Sequence, residues 1–166
     1  MDMINRKDKI TYYLDIALAV LSRGTCLRRN FGAVIVKNDE IVSTGYTGAP
    51  RMRQNCIDMG YCLREKYNIP RGERYELCRS VHAEANAIIS ASRDQMIGSS
   101  LYLVGVDYKT NTLVKNASPC AMCKRLIINA GIKEVIVRET KDTYKVIDVK
   151  RDWIEHDESI NNTRGY

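Results

Sequence analysis

Two short motifs, far apart in the sequence, constrain what this chain can fold into more than any other feature. The first is His-Ala-Glu at 82–84, and the second is Pro-Cys-Ala-Met-Cys at 119–123. One histidine, two cysteines and a carboxylate are the parts of a catalytic zinc site, in which three protein ligands leave a fourth position open for water. His82 and Cys120 are 38 positions apart, so the fold must bring two distant segments to one point.

The motifs predict that His82, Cys120 and Cys123 bind Zn²⁺ and that Glu84 carries protons. Cys120 and Cys123 are three positions apart, so both can face one metal from the start of a helix, where thiolates are favoured. This motif order is described for zinc-dependent nucleobase deaminases. Zinc lowers the pKa of bound water toward ~7, and Glu84 then moves the proton to the substrate. The alternative is a structural zinc knuckle beside an unrelated core histidine, which leaves a charged Glu84 unexplained in an apolar segment.

Composition indicates one globular domain spanning residues 1–166. The chain is 45% hydrophobic and 28% charged, and it has neither a leader-like N-terminus nor an aliphatic run longer than 16–21. We therefore expect a cytoplasmic protein without a membrane span. Six cysteines then indicate metal ligands or free thiols and not disulfides. The net charge of +6 suits either an anionic ligand or an ordinary solvated surface.

The pattern of apolar residues predicts helices alternating with strands. The expected order is a helix at 10–21, a β-hairpin at 31–37 and 41–46, a helix at 81–92, a strand at 101–106, a helix at 119–130 and a strand at 132–137. Ser80 is the predicted N-cap of the second helix, and Pro119 the first residue of the third. This order predicts an α/β fold with a mixed sheet and helices on both faces.

Two segments do not fit this alternation. Residues 48–80 lack periodicity and form a predicted insertion loop that contains three cysteines. A loop of this length in a small domain is usually functional or held by a metal. Residues 139–166 form a predicted charged tail, with Tyr144, Val146, Val149 and Trp153 as candidate packing residues.

The residues together resemble the deoxycytidylate deaminase family. The resemblance rests on 82–88, 118–123 and 127–132, and on upstream segments 25–34 and 45–50. It covers roughly residues 8–140. It implies a three-layer α/β/α cytidine-deaminase-like fold with a mixed, mainly five-stranded sheet, and conversion of dCMP to dUMP for thymidylate synthesis. It also implies a homo-oligomer, often a hexamer, that dCTP activates and dTTP inhibits.

The resemblance also assigns site residues. His82, Cys120 and Cys123 match the zinc ligands, and Glu84 matches the proton carrier. These four are the residues that the motifs themselves indicate.

The resemblance further places the backbone of Ala83 and Ser118 at the pyrimidine edge. Thr47 stands where the family usually has an asparagine beside the nucleotide, so substrate preference is less firmly implied than reaction type. Arg29 is our candidate for binding the 5′-phosphate, because guanidinium groups suit phosphates. Tyr144 is a candidate for stacking near the base.

Four cysteines remain after the catalytic site is supplied: Cys26, Cys56, Cys62 and Cys78. Some members of the resembled family hold a second, structural zinc with residues from these regions. Four thiolates form a closed zinc site that would fix the 48–80 loop. The alternative is that the cysteines are buried free thiols, which pack as small hydrophobic residues.

Two other functions compete with dCMP deamination. One is another deaminase of the same fold, acting on tRNA adenosine or on free cytosine or its nucleoside. We do not expect a nucleic-acid partner, because the chain has one Phe and one Trp and no basic helix, although ten Tyr are available for stacking. The other is a non-catalytic zinc module, which would require a missing ligand or a missing Glu84.

Overall fold

The computed structural model describes residues 5–160, and they form one five-stranded sheet with helices on both faces. The elements are α1 (Lys9–Leu21), β1 (Arg29–Lys37), β2 (Glu40–Tyr46), α2 (Cys56–Met59), α3 (Leu63–Lys66), α4 (Ala83–Ile89), α5 (Arg93–Met96), β3 (Ser100–Asp107), α6 (Ala121–Ala130), β4 (Glu134–Arg138) and β5 (Tyr144–Asp148). Short 3₁₀ turns lie at Tyr75–Leu77 and Glu158–Ile160, and a π-helical turn lies at Lys150–Glu155. The start of the N-terminal segment and the end of the predicted tail lie outside the described residues. In the described part of the chain, no helix has the length and apolar character needed to cross a membrane.

The sheet is mixed, with the strand order β2-β1-β3-β4-β5. Strand β1 is antiparallel to both β2 and β3, β3 is parallel to β4, and β4 is antiparallel to β5. The parallel pair is the one that α6 connects, as a helical crossover requires. The predicted α/β fold with a mixed sheet is therefore confirmed.

Alternating side chains of the strands build a separate core on each face of the sheet. On one face Val34, Val104 and Ile136 pack against α1, and on the other Ile35, Leu103 and Val137 pack against α4 and α6. The strands are buried on both faces, which explains their nearly continuous apolar sequence. Helices α4 and α6 thus lie side by side on the same face of the sheet.

Two glycines let helices approach the sheet more closely than any other residue would. A Cβ at Gly32 would lie 2.0 Å from the carbonyl oxygen of Ala17 in α1. A Cβ at Gly45 would lie 2.3 Å from the carbonyl oxygen of Ala83 in α4. Both contacts are with backbone, which cannot move aside like a flexible side chain. Gly45 therefore sets how closely the start of α4 approaches β2.

The predicted starts of α4 and α6 were both wrong by two residues. Ser80 is not the N-cap of α4, because Val81 forms an antiparallel bridge with Gly48 and keeps the chain extended as far as His82. Pro119 is not the first residue of α6, because Cys120 is itself the extended N-cap, with φ −71° and ψ 167°. An N-cap side chain folds over the first helical turn, so this shift directs both residues toward the helix ends.

Residues 48–80 and the tail are more ordered than their sequences predict. The loop contains α2, α3 and a 3₁₀ turn. Tail residues 144–148 form β5, an edge strand in which exposed and half-buried residues alternate. Its charged residues do not follow this alternation, so the sequence does not predict the strand. Val149 is buried and Trp153 packs on the core, as predicted for the tail, whereas Val146 is exposed.

An ion pair joins α1 to the sheet and predicts acid-sensitive stability. Asp15 accepts hydrogen bonds from Lys7 at 2.6 Å and from Arg138 at 2.8 Å, and the Arg138 side chain is only 6% exposed. The bonds from Lys7 and Arg138 hold the pKa of Asp15 below its ordinary value. We expect Asp15→Asn to lower the free energy of unfolding by about 1–2 kcal/mol at pH 7, because Arg138 loses its counter-charge while water screens part of the effect.

A lowered carboxyl pKa stabilises the fold above the unfolded pKa of about 3.9, and this stabilisation is lost as pH falls through the folded pKa. The difference between wild type and Asp15→Asn in urea unfolding should therefore shrink below about pH 4. Glu76→Gln is the matched control, because its ion pair with Arg74 is exposed. An Asp15→Asn defect that is equal at pH 3 and pH 7 would contradict this account.

Candidate active site

The two motifs meet where helices α4 and α6 begin. The Nδ1 atom of His82 lies 3.3 Å from the Sγ atom of Cys120 and 3.5 Å from that of Cys123. Within residues 5–160, these are the only three His, Cys, Asp or Glu side chains whose ligand atoms all lie within 4.8 Å of one another. His82 and Cys120 are the N-caps of the two helices, and Cys123 lies one turn into α6.

The donor atoms of this cluster fit zinc. Two sulfur atoms and one imidazole nitrogen form a mixed set that suits Zn²⁺, and three ligands leave one position for water or substrate. Both cysteines are buried and His82 is half-buried, so the site is enclosed on the protein side. The arrangement is therefore that of a catalytic and not a closed structural metal centre.

Hydrogen bonds within the cluster change the pKa values of the two cysteines in opposite directions. The hydrogen bond from Cys123, and then the one from His82, lowers the pKa of Cys120 to about 3. The hydrogen bond to Cys120, together with burial, raises the pKa of Cys123. Burial opposes the charged form of His82, but its hydrogen bond with Cys120 and the negative charges of Cys120 and Glu84 together outweigh burial and raise the pKa of His82. One thiolate is thus already favoured, and metal binding would displace the remaining protons.

Glu84 lies beside the cluster as a buried carboxyl group. Its residue is 4% exposed, and burial raises its pKa above the ordinary value. Its side chain also contacts the thiol of Cys123. Among the described residues, no lysine or arginine forms an ion pair with it. An unpaired buried carboxyl group costs stability, so its position is best explained by chemistry.

Three predicted substrate residues flank the cluster. Ala83 is the first residue of α4 and is fully buried, and Ser118 is exposed two positions before Cys120. Thr47 is buried just before Gly48, which pairs with Val81 next to the cluster. The Oγ1 atom of Thr47 accepts a hydrogen bond from the backbone N–H of Phe31, so this hydroxyl already serves the fold.

Arg29 and Tyr144 lie at the ends of strands. Arg29 is half-buried at the start of β1, opposite Asp107 of β3. Tyr144 starts β5 opposite Arg138, whose guanidinium binds Asp15 on α1. Side chains of directly paired residues lie on the same face, so Tyr144 is on the α1 face. Tyr144 is thus on the face opposite α4 and α6, and its placement near the base stays a prediction.

Cys26 and the three cysteines of the 48–80 loop are neighbours, but they do not form a compact cluster. Burial raises the pKa of Cys56, and the nearby Cys26, Cys62 and Cys78 raise it further. All four are free thiols. In the part of the chain that the structure describes, no three of their sulfur atoms lie within 4.8 Å of one another. The structure thus brings them into one region without the spacing of a metal-bound set.

Sequence reasoning missed two residues near the cluster, Tyr75 and Arg64. The ring of Tyr75 lies edge-on to that of His82, with centroids 6.0 Å apart and an interplanar angle of 87°. The guanidinium of Arg64 lies 4.0 Å from the Tyr75 ring centroid. Both residues lie between Cys62 and Cys78, and this position is the one feature of the sequence that could have indicated a place near the cluster. Their segment has no periodicity that would have indicated which side chains turn inward.

Comparison with known proteins agrees with this geometry. Residues 7–139 match the family model of the cytidine and deoxycytidylate deaminase zinc-binding region. The chain belongs to the cytidine and deoxycytidylate deaminase family.

The relatives of this deaminase-family chain include phage and fungal proteins. It is 34% identical over 138 residues to the deoxycytidylate deaminase of Mycobacterium phage D29, covering 80% of this chain and 96% of the phage protein. It is 31% identical over 141 residues to that of Saccharomyces cerevisiae, covering 82% of this chain but only 41% of the yeast protein. The dCMP deaminase of cyanophage S-TIM5, solved with dCMP and dUMP, is 25% identical with a TM-score of 0.53, over 82% of this chain and 85% of that one.

The cluster predicts a specific loss of metal. Replacing Cys120 with Ser removes a thiolate, so we expect the bound zinc to fall by one atom per chain in elemental analysis. Met122→Leu is the matched control, because Met122 is a partly exposed residue between the two cysteines. Equal zinc contents in Cys120→Ser and Met122→Leu would refute the assignment.

Proposed function

We propose that this chain is a zinc-dependent deoxycytidylate deaminase that hydrolyses dCMP to dUMP and ammonia. The observation that carries the proposal is the His82–Cys120–Cys123 cluster with the buried Glu84 beside it. Family membership supports deamination of a cytosine ring, and the phage and fungal relatives support the nucleotide substrate. The product dUMP would feed thymidylate synthesis. We also propose that residues 1–166 form a single deaminase domain.

The proposed mechanism assigns a separate task to each residue. His82, Cys120 and Cys123 hold a zinc ion, which when bound supplies the Lewis acidity that makes water a nucleophile at neutral pH. Glu84 takes the proton of the attacking water on a carboxylate oxygen and delivers it to the ring nitrogen. Glu84 then transfers the second water proton to the departing amine. The balance is dCMP plus water giving dUMP plus ammonia.

Substrate positioning in this proposal comes from the segments that flank the cluster. Backbone groups of Ala83 and Ser118 bind the pyrimidine edge. Thr47 lies beside the nucleotide, and Arg29 binds the 5′-phosphate. The position of Arg29 opposite Asp107, at the end of the sheet where β3 ends, supports this role. The burial of Glu84 limits its access to bulk water, so its proton is directed to the substrate.

Ammonia release from dCMP, dCTP, deoxycytidine and cytosine, measured in parallel, tests the proposal. We expect wild type to deaminate dCMP alone and to lose this activity when a chelator removes zinc. In Glu84→Gln we expect kcat to fall on the order of 100-fold or more, because the amide cannot accept the proton. Zinc content should be unchanged in this variant.

Glu155→Gln is the matched control, because Glu155 is exposed and remote in sequence from both motifs. Near-normal activity of zinc-loaded Glu84→Gln would refute the mechanism. Activity on an unphosphorylated substrate would agree with a zinc-dependent hydrolase but would refute the assignment of a nucleotide as substrate. Inactivity on all four compounds would make tRNA adenosine the next substrate to test.

We further propose that Cys26, Cys56, Cys62 and Cys78 bind a second, structural zinc. Two contacts of the kind that stabilise thiolates support this. The backbone N–H of Arg28 donates to the Sγ atom of Cys26 at 3.4 Å, and backbone hydrogen bonding at Ser80 lowers the pKa of Cys78 against a larger effect of burial. The buried hydroxyl of Ser80 finds no nitrogen or oxygen partner among the described residues and lies beside Cys56.

Zinc counting tests the second site. We expect two zinc atoms per wild-type chain and one in Cys62→Ser, with a lower melting temperature because the loop is no longer held. Cys120→Ser should also retain one zinc, but without the loss of loop order. One zinc atom per wild-type chain would show that the loop cysteines are free thiols.

Assembly, regulation and location extend the proposal, and we propose that the protein acts in the cytoplasm. We propose a homo-oligomer, a hexamer in the form that the resemblance implies, activated by dCTP and inhibited by dTTP. The edge strands β2 and β5 lack a neighbour on one side within residues 5–160, which leaves room for contacts between copies.

A further inference from the structure

The 62–78 segment contacts the candidate metal centre through one aromatic ring. Tyr75 packs its ring edge-to-face with the imidazole of His82, at a centroid distance of 6.0 Å and an angle of 87°. Edge-to-face contacts of this kind restrict ring orientation. The hydrogen bonds of the His82 ring within the described chain all use Nδ1, the atom that faces the two sulfurs. The Tyr75 contact is therefore well placed to fix the plane of the imidazole.

Tyr75 is held in turn by a buried arginine. Arg64 is 3% exposed, and its guanidinium lies 4.0 Å from the Tyr75 ring centroid. Its Nη2 atom donates to the carbonyl oxygens of Pro70 and Glu73, both at 2.8 Å. These bonds tie α3 to the turn that precedes Tyr75. Arg64 thus fixes the turn and stacks on the ring that the turn presents.

A buried guanidinium needs a reason to be there. Desolvating a cation is costly, and Arg64 forms no ion pair with a carboxylate in the described residues. Its Nε atom also lacks a hydrogen-bond partner there. Its guanidinium lies instead 4.0 Å from the ring centroid of Tyr75, and that ring contacts the imidazole of His82. Arg64 is therefore linked to the motif cluster through Tyr75.

We propose that Tyr75, clamped by Arg64, is a positioning residue that holds the imidazole of His82 against Cys120 and Cys123. The inference rests on the proposed function, in which His82 holds the catalytic zinc. Groups that orient a metal-bound histidine typically change metal affinity 10- to 100-fold. Tight metal binding then requires the 62–78 segment to be ordered, although that segment supplies none of the metal ligands.

The experiment measures zinc loss from the full-length, zinc-loaded protein to a chromophoric chelator. In Tyr75→Leu we expect the catalytic zinc to leave about tenfold faster or more. Tyr75→Phe keeps the ring but loses the hydroxyl that accepts a hydrogen bond from the backbone N–H of Gly72 at 3.3 Å, so we expect a rate much nearer to wild type than that of Tyr75→Leu. Arg64→Lys keeps the charge but loses the planar stack and the fork, so we expect an intermediate rate. The kinetic phase of zinc loss that is absent in Cys120→Ser belongs to the catalytic zinc.

Tyr67→Leu is the matched control, since Tyr67 lies in the same segment and is 63% exposed. Zinc loss from Tyr75→Leu within about twofold of this control would overturn the proposal. Equal acceleration in Tyr75→Phe and Tyr75→Leu would also overturn it, because ring packing would then not be the cause. If Tyr75→Leu does not fold, Arg64→Lys decides: a wild-type rate overturns the proposal and faster loss supports it. A wild-type protein that binds no catalytic zinc would instead refute the proposed function.

The cobalt-loaded protein supplies a second readout that a merely structural role would not change. We expect Tyr75→Leu to alter the visible absorption of Co²⁺ bound at the motif cluster, because the imidazole reorients. Tyr67→Leu should leave that spectrum unchanged. A lower melting temperature with an unchanged cobalt spectrum and zinc loss rate would make Tyr75 a packing residue only.

Discussion

The candidate site depends on one geometric constraint, the close approach of two helix N-caps. His82 caps α4 and Cys120 caps α6, and the facing Nδ1 and Sγ atoms are 3.3 Å apart. Neither helix could hold this position alone, because each is short. Helix α4 is seated against β2 by the close contact at Gly45, and α6 is anchored through the fully buried Ile127. The sheet therefore acts as the rigid base on which the two ends meet.

The fold and the metal cluster were predictable because their signals are local. Buried strands read as apolar runs, and a crossover helix requires β3 and β4 to be parallel. The zinc motif is recognisable without knowing the fold. The helix starts were not predictable, because a tertiary contact decided one of them: the bridge from Gly48 keeps Val81 extended. Edge strand β5 was missed because its burial does not follow polarity: Val146 is exposed whereas Lys145 is half-buried.

The surroundings of the cluster could not be predicted for a different physical reason. Residues 48–80 have no apolar periodicity, so nothing in the sequence indicates which side chains turn inward. The burial of Arg64 depends on carbonyl groups freed by a particular turn, and these appear only once the chain is folded. The face that Tyr144 occupies could not be predicted either, because strand pairing with Arg138 decides it and not the chemical type of the side chain.

Two buried ionisable groups near the cluster oppose stability, and their positions are informative together. Within residues 5–160, Glu84 on the helix side forms no ion pair with a lysine or arginine, and Arg64 on the loop side forms none with a carboxylate. Apolar residues at both positions would remove the desolvation cost. Pairing the two groups directly would also remove it, but would fix Glu84 as a permanent anion. Without such an ion pair, Glu84 can take and release a proton, while Arg64 stabilises the loop through the carbonyl groups of Pro70 and Glu73.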